Sequence, residues 1–116
     1  TGLSATITPS SASSKVLCLV KTRFEFDSGT DYTGGNIQLW RGASSVAQLD
    51  NQIARNSTVT SKINMASTSH YLDSPATTSA TTYTVYGAVA FTSSGNTMFW
   101  QGNTSQSDIV LMEIGA

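Results

Sequence analysis

Few side chains in this 116-residue chain could take up protons, attack a substrate or hold a metal. The one histidine, His70, stands in Ser69-His70-Tyr71 at the end of a strand-like segment. A Ser-His-Asp triad would need it, yet no nucleophile-elbow pattern accompanies it. One histidine and one cysteine are too few for a zinc site of His and Cys ligands. No glycine-rich nucleotide-binding pattern occurs. The carboxylates are Glu25, Asp27, Asp31, Asp50, Asp73, Asp108 and Glu113. Asp27 and Asp31 share a glycine-bearing loop and could offer oxygens to Ca²⁺. Their spacing falls short of an EF-hand, and an ordinary solvated loop accounts for them. Asp73, ahead of Ser74-Pro75, reads as a turn residue whose carboxylate bonds backbone N–H groups two or three positions on. The expectation is a protein that is not an enzyme, with no metal site and no cofactor.

The aromatic residues say more. Trp40, Trp100, Tyr32 and Tyr86 fall on or next to faces whose other members are polar or small. Rings so placed can cap a core, supply contact area to another subunit or stack on sugar rings. Asp27, Asp31, Tyr32 and Trp100 are the candidates for ligand binding. Leu17, Leu19, Trp40 and Tyr86 are the candidates for an oligomer interface.

The elements that must carry these residues read as strands. Hydrophobic content of 39% suffices for a core, whereas charged residues make up only 11%, against about 25% in an average domain. Hydroxyls and amides replace the missing charge, with 18 Ser, 17 Thr, 6 Asn and 5 Gln. Thr suits strands while Ser and Asn suit turns, so sheets with many connections are favoured. Formal net charge is −1 with no basic run, which argues against a nucleic-acid partner. No apolar run approaches the roughly 20 residues needed to cross a bilayer, so membrane insertion is not expected. Cys18 is alone, so no intrachain disulfide can form, and its place in an apolar strand predicts a buried, inert thiol. Thr1 suggests a fragment or a processed form. Two N-x-[ST] matches, at Asn56 and Asn103, are expected by chance in so Ser- and Thr-rich a chain.

Alternation of apolar and polar residues marks short strands throughout. Leu3, Ala5 and Ile7 form the first, ended by Pro9. The strongest covers 15–26, with Val16, Cys18, Val20, Thr22, Phe24 and Phe26 on one face. Its other face starts apolar at Leu17 and Leu19, then turns charged at Lys21, Arg23 and Glu25. A strand apolar on both faces at one end is covered on both sides there, by a loop of the same chain or by another subunit. Residues 27–35 form a polar loop, and 36–41 the next strand. After a turn at 42–44, 46–49 pairs back, and 50–56 has no period and reads as loop. Residues 58–65 alternate, 66–67 turn, and 82–91 alternate with Tyr83 and Val85 on one side and Tyr86 on the other. Turns at 93–96 and 102–105 flank a short strand at 97–101, and 108–114 closes the chain. Eight or nine short strands without helical periodicity predict one all-β domain over 1–116. Its expected form is an antiparallel two-sheet sandwich, jelly-roll-like, with a closed barrel as alternative.

The opening ATITPSSASSKVL, a central LWRG, the segment YLDSPATTSATTYTV from Tyr71 to Val85 and the closing IVLMEI together resemble a family of bacteriophage virion modules. These occur at the C-terminal ends of tail-fibre and related structural proteins. The resemblance runs from Ile7 to Ile114, and its most specific piece is Tyr71 to Val85. It implies a β-sandwich head that forms a homotrimer at a fibre tip in the virion, meets other virion proteins and touches the host cell surface, often its glycans. It carries over no catalytic residue. Related modules also decorate capsids, so a capsid or tail decoration protein is one alternative. A carbohydrate-binding module, monomeric with a planar strip of exposed aromatics, is another. Deleting loop 27–35 should abolish adsorption for a fibre tip and leave it intact for a decoration protein.

Overall fold

The computed structural model describes residues 3–27, 33–56, 62–90, 97–100 and 106–115, with the backbone alone at 27, 33, 54–56 and 100. Every regular element among them is a strand: β1 (Leu3–Ile7), β2 (Lys15–Asp27), β3 (Thr33–Arg41), β4 (Ser44–Asn56), β5 (Ile63–Asp73), β6 (Thr81–Val89), β7 (Thr97–Trp100) and β8 (Asp108–Ile114). One sheet has the order β1-β6-β3-β4; the other places β5 on one side of β2 and both β8 and β7 on the other. All pairings are antiparallel. The fold is the expected antiparallel two-sheet sandwich.

β2 is the axis of the second sheet, and its alternation explains why. Val16, Cys18, Val20, Phe24 and Phe26 point inward and are buried, together with Thr22. They meet Ile37 and Leu39 of β3 and Tyr83 and Val85 of β6 from the facing sheet. Each large apolar side chain removed from water here contributes roughly 1.5–3 kcal/mol. Phe24 and Phe26 pack edge to face with ring centroids 5.1 Å apart. The Phe26 ring lies directly on the backbone of Gly35, where a Cβ would sit 2.5 Å from its nearest carbon. Only a residue without a side chain lets the two sheets approach this closely.

The β3–β4 hairpin turns through Gly42 and Ala43, and the φ of +56° at Gly42 is the left-handed value that such tight turns require. Beyond the turn the β3–β4 register shifts repeatedly. Gln52 takes a φ of 52°, and its N–H donates to Oδ1 of Asn36, a side chain, at 2.9 Å. Residues 50–56 are therefore strand and not loop: the bulged backbone erases the alternation that a straight strand would show.

Three other expectations need correction. No turn interrupts 66–67, because β5 runs unbroken through Ala66 and Ser67, which pair with Arg23 and Thr22 of β2. Glu25, on the charged part of the outer β2 face and so expected to be solvated there, is nearly buried, and Nζ of Lys62 donates to its Oε1 at 3.1 Å. Asp73 is buried and receives side chains from the facing sheet, so it does more than end a strand. The strand expected at 58–61, the turns at 93–96 and 102–105 and the Asn103 sequon lie outside the described residues.

Candidate functional site

The four interface candidates fall on opposite sides of the sandwich. Val16 and Cys18 point into the core, so Leu17 and Leu19 point out from the β2 sheet; Leu39 and Val85 point in, so Trp40 and Tyr86 point out from the β3 sheet. The structure thus separates them into two surfaces of different chemistry.

The first surface is apolar. Leu17 lies between Leu72 of β5 and Met112 of β8, while Leu19 lies between His70 and Val110. Ile114 extends the row beside Lys15, and Lys21 beside Asp108 closes it at the other end. Leu19, Leu72, Val110, Met112 and Ile114 are each 39–49% exposed. Large apolar side chains in adjacent rows on an outer sheet face form a patch of the kind that marks an interaction surface, whereas scattered ones are ordinary. Neither a loop nor a layer of the described residues covers Leu19. The sequence already held the signal for the partners on β8, since Val110, Met112 and Ile114 alternate with Ile109 and Leu111, apolar on both sides like Leu17 and Leu19.

The second surface is aromatic and amide-rich. Trp40 packs edge to face on Tyr86 at a centroid distance of 5.4 Å and an angle of 71°, and Tyr86 remains 49% exposed. Nε1 of Trp40 donates to Oε1 of Gln38 at 3.1 Å, and Nε2 of Gln38 donates to Oε1 of Gln48 at 2.9 Å. Nε2 of Gln48 in turn donates to the carbonyls of Ile37 and Asp50, at 3.2 and 2.6 Å. Beside Tyr86 is an open depression of about 110 Å³ lined by Asn36, Gln38, Tyr86, Gly87 and Ala88. Sequence reasoning singled out the two rings but not the amides. Their role depends on the register that puts Gln38 opposite both Tyr86 and Gln48.

Two side-chain clusters tie the sheets together. At one end Oδ2 of Asp73 accepts from Nη1 of Arg41 and from the Tyr83 hydroxyl, both at 2.6 Å. Burial, and then the bond to Asp73, push the Tyr83 phenol well above its usual range. Burial pulls the Arg41 guanidinium down, but the bond to Asp73 and its charge outweigh this and leave it raised. At the β4–β5 seam, Ser67 and Ser69 both donate to Oδ2 of Asp50. Burial pushes the Cys18 thiol up to about 12, with Asp73 adding to the effect. The hydroxyls of Ser14 and Ser10 hold the Glu113 carboxyl below its usual range.

Among the ligand candidates, Asp31 and Tyr32 lie outside the described residues, as do the side chains of Asp27 and Trp100. The Asp27 and Trp100 backbones end one region of the β2–β7 ladder, paired with Thr97 and Phe24. His70 is exposed on the apolar side of the β2 sheet, opposite Leu19. Among the described residues no group of three or more His, Cys, Asp or Glu could hold a metal ion. Compared with protein-family models, curated proteins and solved structures, the chain shows no match.

Proposed function

We propose that this chain is a structural module of a bacteriophage virion, of the tail-fibre head type, which trimerises through the outer face of its β2 sheet and presents its remaining surface to the host cell. The observation that carries the proposal is the row of Leu72, Met112, Leu19, Val110 and Ile114 around the half-buried Leu17, left exposed by the described residues. Further copies of the chain are the occupants that satisfy it: three such faces turned toward a common threefold axis cover one another, each meeting both neighbours, and the ring closes. Lys15, Lys21 and Asp108 at the ends of the row give it the polar rim that an interface core needs. The resemblance of Tyr71 to Val85 to virion modules supplies the particle, and low charge with abundant hydroxyls suits a surface-displayed component.

Light scattering on the purified protein at micromolar concentration tests the reading. A mass three times that of the chain is expected, with Leu19→Asp and Val110→Asp each converting it to a folded monomer. A wild-type monomer, or a trimer indifferent to both substitutions, overturns it.

A further inference from the structure

We infer that the outer face of β3 and β6 is a binding site for a neutral saccharide, with Tyr86 as stacking platform and Asn36 and Gln38 as hydrogen-bonding groups. The inference rests on the reading of the chain as a host-binding module, and it names the ligand class and the residues.

The chemistry of the face selects the ligand. Asn36, Gln38, Tyr86, Gly87 and Ala88 line the depression, so among the described residues no charged side chain faces it. An anionic ligand would find no counter-charge among these residues, and an apolar one would leave the Nδ2 donors of Asn36 without partners. A sugar offers what the face lacks: apolar C–H edges for a ring face and hydroxyls that both donate and accept. Tyr86 packs edge to face against Trp40 and keeps half its surface free. The small Ala88, next along the same strand face, leaves room beside the ring.

The amides are oriented before any ligand arrives. The Trp40 indole N–H can only donate, which turns Oε1 of Gln38 toward it and Nε2 toward Gln48. The carbonyls of Ile37 and Asp50 can only accept, which fixes Gln48 in the matching sense. Asn36 commits its Oδ1 to the N–H of Gln52. Its Nδ2 donors have no protein partner among the described residues, and Asn36 lines the depression. Groups already held in place lose little freedom on binding, which favours recognition of a flexible, hydrated ligand.

The depression is small beside the roughly 300–1,000 Å³ of sites that enclose a ligand. One face of one or two sugar rings is what it takes, and a single site should bind weakly. The site lies opposite the apolar face, so a trimer closed on that face would turn three such sites outward. Linked sites of this kind can gain a factor of about 10²–10⁴ in avidity.

Isothermal titration calorimetry of the wild-type protein against maltohexaose, cellohexaose, mannohexaose and chitohexaose, with polysialic acid and heparin as anionic probes, tests the inference. At least one neutral saccharide should bind, weakened tenfold or more by Tyr86→Ala and about fivefold by Asn36→Ala. Ala88→Leu, which fills the depression and removes nothing, should also abolish binding. No neutral binding, binding of anionic probes alone, or binding unmoved by these substitutions overturns the site. So does a Tyr86→Ala protein whose oligomer dissociates, since the face would then be a subunit contact. The mass of each protein is read in parallel. A wild-type trimer without saccharide binding removes this site and leaves the proposed function standing. A monomer that binds through Tyr86 does the reverse.

Discussion

Tyr83 of β6 donates its phenol proton to Oδ2 of Asp73 on β5, at 2.6 Å, with both residues buried and on different sheets. Arg41 of β3 reaches the same oxygen from a partly exposed position. A buried carboxylate is tolerable only with such partners.

Their removal should therefore follow an order. Asp73→Ala leaves the Tyr83 hydroxyl and the Arg41 guanidinium without their acceptor and should cost about 3–5 kcal/mol. Tyr83→Phe removes one hydrogen bond to a charged group, about 1.5–3 kcal/mol. Arg41→Ala should cost less than either, because water already screens and solvates a third of that side chain. Urea denaturation of the three variants checks the ranking, and equal effects would contradict it.

Thr22 points the other way. It is buried in the middle of β2, and its hydroxyl has no hydrogen-bond partner among the described residues. Thr22→Val keeps the shape and removes the unpaired group, so it should stabilise by about 1 kcal/mol. A lower denaturation midpoint would show that the hydroxyl is satisfied after all.

Gly35→Ala should destabilise by about 1–3 kcal/mol, the usual range for overpacking a core. The new methyl would meet the Phe26 ring at 2.5 and 2.8 Å, and that ring is fully buried and has nowhere to swing. Adding Phe26→Leu should recover part of the loss in a double-mutant cycle.

Alkaline pH should unfold the protein through two groups. Burial raises the Cys18 thiol from its ordinary 9.0 to about 12, and raises the Tyr83 phenol as well. The unfolded chain then releases these protons at lower pH than the folded one. The stabilisation is complete below about pH 9 and is lost as the pH climbs toward 12. Denaturation midpoints across that interval should fall, and fall less steeply in Tyr83→Phe. At pH 8 the native thiol should stay inert to an aromatic disulfide reagent and react on unfolding.

What the sequence disclosed depended on how straight each strand is. β2 alternates in burial from Lys15 to Phe24 and departs from the pattern only at Glu25, so its core residues and the outward Leu17 and Leu19 were legible from spacing alone. β4 was not, because the bulge at Gln52 and the shifting register break the period. In β5 the small Ala66 and polar Ser67 looked like a turn, yet Ser67, with Ser69, bonds Asp50 of β4 across the seam. Asp73 looked local for the same reason: its partners Arg41 and Tyr83 are 32 and 10 positions away. Trp40 and Tyr86 stood out by type, but the amides around them acquire meaning only from pairing. The apolar row was half visible, on β2, and became a surface once β5 and β8 were set beside it.

The seams of the sandwich bear on a hazard common to multi-copy β proteins. β1 lies against β8 and β4 against β5, so the border strands of each sheet face those of the other. At the second seam the Asp50 carboxylate takes the Ser67 and Ser69 hydroxyls, and β4 is bulged at Gln52. A stray strand from another molecule would meet a kinked border already engaged by side chains, not a straight row of free backbone donors and acceptors. Many copies can then be crowded together, as at high expression, without runaway strand addition into amyloid-like ribbons.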